Sequence, residues 1–243
     1  MPEGQESQSY KCSKCKDVGY IFYKNKEGYS TAKKCDCTLQ DEILKKADNS
    51  GLGDLIKKKK FNNFIANEEF QVNMKNKAQE FVKEFLANKT ISFALLGQSG
   101  IGKSHIMAAV SRTLIAKNVQ VRFYTADDII QRLQACKFDE LNYNKEFNDI
   151  ANSQVLYIDD LFKSSLQNYY NTESINANDF REIFKIINYR YNKNLPILLN
   201  SEITFDRLID LDEALAGRLN EMCKREYIIS VRKDKNKNYR LKR

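Results

Sequence analysis

The chain has 243 residues, 42% hydrophobic and 30% charged, with a formal net charge of +8 at pH 7. These proportions predict a soluble α/β domain with a sizeable core plus a small appendage. They exclude a membrane protein, because no apolar run approaches bilayer length, and the polar first ten residues exclude a secretory leader, so a cytoplasmic location is expected.

The first feature along the chain is a set of four cysteines in two close pairs, Cys12-Ser13-Lys14-Cys15 and Cys35-Asp36-Cys37. A reducing compartment disfavours disulfides, and zinc prefers a tetrahedron of thiolates, so two short cysteine turns brought together form a zinc cage. With all four positions filled, such a site is structural. Residues 18–31 between the pairs read as a β-hairpin bearing Tyr20, Phe22 and Tyr29, too small to fold on an apolar core alone. Reduced thiols without metal, or a redox pair, are the competing readings. Cys136 and Cys223 read as inert thiols on apolar helix faces.

Residues 1–50 are thus expected to form a zinc module and residues 51–60 a basic linker, Lys57 to Lys60 forming a positive run. Alternating strand and helix patterns from residue 61 to 243 predict a parallel sheet with helices on both faces. Ala78, Phe81, Val82, Phe85 and Leu86 share one helical face ahead of a strand at 91–96. Further strands are predicted at 121–124, 155–158, 197–199 and 227–231. Thr125 is a plausible N-cap for a helix carrying Ile129, Ile130 and Leu133. Phe180, Ile183, Phe184 and Ile187 mark another helix, and Leu215, Leu219 and Met222 a short one. Basic residues recur after Arg232, at Lys233, Lys235, Lys237, Arg240, Lys242 and Arg243. The two basic runs favour a polyanionic partner or, more plainly, form a solvated linker and end strand.

The strand at 91–96 leads into Gly97-Gln98-Ser99-Gly100-Ile101-Gly102-Lys103-Ser104, a phosphate-binding loop. Residues without Cβ atoms let the chain curl round phosphates and aim several N–H groups inward. The following helix adds its positive end, Lys103 a mobile charge, and the Ser104 hydroxyl a place in a magnesium shell. The strand at 155–158 ends in Asp159-Asp160 at the carboxyl edge of the sheet. Asp159 would hold Mg2+ and Asp160 polarise the attacking water of ATP hydrolysis. Asn200 ends the next strand, placed to orient that water, or else to cap a turn. Arg218 fits an arginine supplied to a neighbouring subunit, or a solvated helix residue. His105, the sole histidine, packs beside the loop or acts as an acid or base.

Together these residues resemble the DnaC/DnaI-type bacterial and prophage helicase loaders of the AAA+ ATPases. The resemblance runs through the cysteine pairs, Lys60-Phe61-Asn62-Asn63-Phe64, the phosphate loop with His105, Ile158-Asp159-Asp160-Leu161-Phe162-Lys163, Ile187-Asn188-Tyr189-Arg190-Tyr191, Asn200-Ser201-Glu202 and Leu211-Asp212-Glu213-Ala214-Leu215-Ala216-Gly217-Arg218. It implies a lidless P-loop AAA+ three-layer domain, with Lys103 and Ser104 on nucleotide and magnesium, Asp159 and Asp160 as the acidic pair, Asn200 as sensor and Arg218 as a finger acting in trans. It also implies ATP-dependent loading of a replicative ring helicase, contact with single-stranded DNA, self-association through the ATP site, and helicase docking by the zinc module. A transposition helper ATPase of the IstB type and a zinc adaptor with little turnover are the alternatives.

Overall fold

The computed structural model describes residues 10–234 except 26, 50, 89, 170 and 171, together with 237 and 238. Within the basic tail, Lys235, Arg240, Lys242 and Arg243 lie outside the described residues.

The chain opens with an antiparallel hairpin, β1 (Tyr20–Lys24) and β2 (Ser30–Lys34), followed by α1 (Asp36–Asp48) and α2 (Gly53–Lys58). A 3-10 turn at Phe61–Asn63 leads to α3 (Glu69–Asn88), β3 (Phe93–Gly97), α4 (Lys103–Ala116), β4 (Val121–Thr125), α5 (Ala126–Ala135) and α6 (Glu140–Ala151). Then come β5 (Val155–Asp159), a second hairpin of β6 (Leu166–Tyr169) and β7 (Thr172–Ile175), α7 (Ala177–Asn192), β8 (Ile197–Ser201), α8 (Phe205–Leu211), α9 (Glu213–Met222) and β9 (Ile228–Val231).

Five strands form one parallel sheet in the order β4-β5-β8-β3-β9. All five residues of β3 and of β8 are buried, the continuous apolar reading of strands covered on both faces. The crossover from β3 to β4 runs one way along the sheet and the later crossovers run the other way. Right-handed connections therefore put α4 on one face and α5 to α9 on the opposite face. The side-chain packing agrees: α3, α2 and α1 lie on α4, while α5, α6, α7 and α9 pack among themselves. The direction changes beside β3, which opens a crevice at the carboxyl ends of β3 and β8.

Local chemistry fixes several boundaries. Thr125 does cap α5: its Oγ1 accepts from the Asp128 N–H at 3.0 Å while Asp128 accepts from the Thr125 N–H at 3.1 Å. At the other end of α4, Asn118 takes a left-handed φ of 62°, and the Asn118 and Val119 N–H groups close back onto Ile115 and Leu114.

The stretch at 51–60 is not a solvated connector. It carries α2, and Leu52 and Ile56 are buried in the same core as the sheet. Its lysines mask the pattern, although two apolar residues four apart suffice to seat one helical turn. Cys136 is half-buried just past α5, not on a buried helix face, whereas Cys223 is buried and its thiol is pushed up by desolvation. The elements α6, α8 and the β6–β7 hairpin went unread. In α6 only Ile150 and Ala151 are buried, leaving a weak periodic signal.

Arg190 is fully buried. Its guanidinium donates to the carbonyls of Ala151 at 2.7 Å, Ser153 at 2.9 Å and Pro196 at 2.6 Å. It ties α7 to the chain entering β5 and β8, with carbonyl dipoles in place of a counter-carboxylate. Replacing it strands those carbonyls in the interior. We expect Arg190→Met to cost about 3–5 kcal/mol, and Arg190→Lys to recover only part, since a point ammonium lacks the planar fork. Urea unfolding midpoints for the three proteins check this; a change under about 1 kcal/mol in Arg190→Met would contradict it.

Candidate nucleotide-binding site

Three glycines set the loop's path. Gly97, Gly100 and Gly102 have φ of 122°, 80° and 100°. A Cβ on Gly97 would lie 2.2 Å from the Val231 carbonyl oxygen, and one on Gly102 would lie 2.7 Å from the Phe64 ring. Side chains are excluded on both counts, by backbone conformation and by room. The loop leaves β3 and enters α4, whose first residue is Lys103.

A cleft of about 590 Å³ opens over it. Ser99, Gly100, Gly102, Lys103 and Ser104 line one wall, Asp160, Lys163 and Glu202 another, and Asn63, Phe64, Ile65 and Gln71 a third. Gly97, Gln98 and Ile101 do not line it. The side-chain amide of Gln98 instead clasps the Asp234 backbone, donating to its carbonyl at 2.7 Å and accepting from its N–H at 2.6 Å. Ile101 is buried in the core.

Lys103 is only 5% exposed, and its ammonium donates to the carbonyls of Gly97 at 2.5 Å and Gln98 at 2.9 Å. Burial lowers its pKa to about 8, against the opposing pull of Glu202, Asp160 and Asp159. A buried cation held by carbonyls and facing three carboxylates is poised to exchange those dipoles for phosphate oxygens.

Asp159, Asp160 and Asn200 are brought together. Asn200 is fully buried inside β8, one residue short of its end. Its Oδ1 accepts the Asp160 N–H at 2.9 Å, and its Nδ2 donates to Asp159 Oδ1 and to the Tyr157 hydroxyl. That hydroxyl donates to Asp159 at 2.9 Å. Asn200 is therefore a brace between the two acids, not a turn cap. Asp160 sits at φ 54°, its carboxylate 2.9 Å from Lys163, which also reaches Glu202 at 3.4 Å.

Arg218 does not line the cleft. Its Nε donates to Asn188 at 2.8 Å, and its guanidinium lies over the rings of Phe184 and Tyr191 at 5.0 and 5.6 Å. It is a held side chain on the α7 face, not a solvated one. His105 packs beside the loop as expected, its ring edge-on to Phe64 and its Nε2 3.0 Å from the Lys60 carbonyl. The wall from Asn63 to Gln71 and the Lys163–Glu202 pair had no assigned role. Asn63, Phe64, Lys163 and Glu202 lie within segments that carry the resemblance, but only the fold gathers them.

The four cysteines of the N-terminal segment converge, their sulfurs all within 4.8 Å of one another. Ideal tetrahedral thiolates around zinc sit about 3.8 Å apart. Here Cys12 and Cys35 are 3.8 Å apart and Cys15 and Cys37 3.4 Å. Asp17 accepts the N–H of Cys12 at 2.9 Å, and Cys35 donates to the Gly19 carbonyl at 2.8 Å, fixing both turns. Cys35 and Cys37 stand at the N-terminus of α1. The donor set and spacing fit a tetrahedral metal.

Two outcomes follow. If Lys103 meets phosphate as an ammonium, raising pH through about 8 should weaken ATP binding, approaching tenfold per pH unit above that midpoint; a fluorescent-nucleotide titration flat from pH 7 to 9.5 would sink this. Protein never exposed to chelator should carry about one zinc per chain, lost in Cys15→Ser, by elemental analysis.

Comparison with known proteins points to an ATP-binding family. The model of the family "IstB-like ATP binding protein" matches residues 24–243. Protein YqaM of Bacillus subtilis (strain 168) is 34% identical over 225 residues, covering 89% of this chain and 68% of its own. The phage-like element PBSX protein XkdC of the same strain is 29% identical over 242 residues, covering 95% and 86%. Among solved structures, the DnaC helicase loader superposes with a TM-score of 0.51 at 22% identity, covering 69% of this chain and 90% of its own. The chain belongs to the IstB/DnaC family of AAA+ ATP-binding proteins.

Proposed function

We propose that this protein hydrolyses ATP to load a replicative ring helicase onto single-stranded DNA. The observation that carries the reading is the pairing of the nucleotide cleft with a four-cysteine module in one chain. On that module Tyr20, Phe22, Tyr23 and Tyr29 are exposed, Phe22 at 70%. Aromatics left in water on a small hairpin are what a protein partner covers. In this reading residues 1–50 dock the helicase and residues 61–243 form the ATPase.

Each side chain then has a task. Lys103 turns from its own loop to the outer phosphates. The Ser104 hydroxyl and the Asp159 carboxylate would hold Mg2+, which would supply screening of the phosphate charge. Asp160, released from Lys163, accepts the proton of the attacking water, and Asn200 keeps the two carboxylates apart and aimed. Arg218 leaves its aromatic seat on assembly and reaches a neighbour's γ-phosphate, making self-association part of the site. The basic surface contacts the DNA backbone.

A second reading has its own support. The IstB-like family match begins at residue 24, after Cys12 and Cys15, so the ATPase core is equally that of a transposition helper.

Loading onto circular single-stranded DNA, with ring helicase from the same cell, tests the proposal. Wild type plus ATP should deposit the helicase. Asp160→Asn should bind ATP yet turn over at least about a hundredfold more slowly. Arg218→Ala and Lys103→Ala, each inactive alone, should regain partial activity when mixed, because some interfaces then pair a sound finger with a sound loop. Capture of a transposase in place of the helicase would favour the IstB-type role, and partner binding without turnover in wild type an adaptor.

A further inference from the structure

The helix that starts at the phosphate loop also seats α1, α2 and the turn at Phe61–Asn63. Three contacts descend α4. At its top, His105 Nε2 lies 3.0 Å from the Lys60 carbonyl and 3.1 Å from Asn63 Oδ1. Two turns below, Arg112 donates from NH1 to the Ile56 carbonyl at 3.3 Å. Just past the helix, Asn118 Oδ1 accepts from Lys46 Nζ at 2.5 Å. Residues seven apart return to the same face of an α-helix, so His105 and Arg112 form one stripe about 10 Å long.

The partners of that stripe run backward through the sequence. They are the turn at Phe61–Asn63, the last turn of α2, and the last turn of α1, whose first turn holds Cys37. Arg112 is 9% exposed, and its cation sits at a helix C-terminus, where carbonyl dipoles converge. Between these polar contacts Ala47, Leu52, Ile56, Ile115 and Val119 are buried in one core cluster. Close-packed surfaces of this kind transmit a shift of one element to its neighbour.

We propose that α4 couples the nucleotide site to the cysteine module. Phosphates arriving at the loop draw Lys103 off the Gly97 and Gln98 carbonyls at the first residue of α4. The Arg112–Asn118 stripe passes the change to α2 and α1 and so to the face the module presents. The proposal rests on the loader reading for what that face binds. By linkage, nucleotide and partner then change each other's affinity by the same factor. Arg112 is a positioning residue here, acting through α2.

The experiment uses the full chain and the β,γ-methylene analogue of ATP at saturation, with hydrogen exchange of backbone amides as the readout. In wild type, exchange across residues 36–58 should slow by about fivefold or more on binding, within the usual range of site-to-site coupling. Arg112→Met removes the donor and keeps bulk. Asn118→Gly removes the Lys46 acceptor and retains the left-handed backbone. Both variants should bind the analogue within about twofold of wild type and lose the slowing at 36–49. Should Arg112→Met fail to fold, Asn118→Gly decides alone, since its contact is on the surface. Wild type without slowing at saturation, or slowing retained in the folded variants, would overturn the coupling. Failure to capture helicase would sink the loader reading and leave the exchange result standing.

Discussion

An ammonium removed from water and given only the carbonyls of its own loop is held at a cost. That is the state of Lys103, and the elements around it are arranged to sustain it. The loop can wrap the side chain only because Gly97, Gly100 and Gly102 take conformations closed to other residues. The strands β5 and β8 bring Asp159, Asp160 and Glu202 close enough to favour its charge without pairing with it directly. A polyanion entering the cleft relieves the strain of this arrangement, which is why the loop can be both stable when empty and selective for phosphate.

The acidic side of the site is organised by a neutral residue. Every hydrogen-bonding atom of the Asn200 carboxamide engages Asp160, Asp159 or Tyr157. With its oxygen on the Asp160 N–H and its nitrogen on the Asp159 carboxylate, the planar amide holds the two acids in different settings. Asp159 is drawn inward toward Tyr157, while Asp160 faces the cleft beside Lys163. Different environments for adjacent acids allow them different chemistry.

Much of this was legible in the sequence, because the signals were local. The phosphate loop, the apolar strand ending in Asp159-Asp160, the Thr125 cap and each of the two cysteine pairs, Cys12 with Cys15 and Cys35 with Cys37, lie within a few residues. The misreadings came where composition masked pattern or where contacts were long-range. Lysines hid the amphipathic turn of α2. The sequence places Asn200 at a strand end, but its partners are 40 residues or more away, so the brace it forms leaves no local signal. Arg190 was noted only as part of a motif, and no local rule says that a helix arginine will be buried against three carbonyls. The described residues contain no helix long and apolar enough to cross a membrane.

The β1–β2 hairpin exposes residues on both of its faces; only Ile21 and Thr31 are half-buried. It has almost no interior of its own, so the free energy that orders it must enter through the cysteine cluster at its base. Any partner that grips Phe22 and Tyr29 is thereby reading whether that cluster is filled. On the proposed function, the hairpin would double as a gauge of metal supply, so metal starvation would silence recruitment and, through α4, be felt at the nucleotide site.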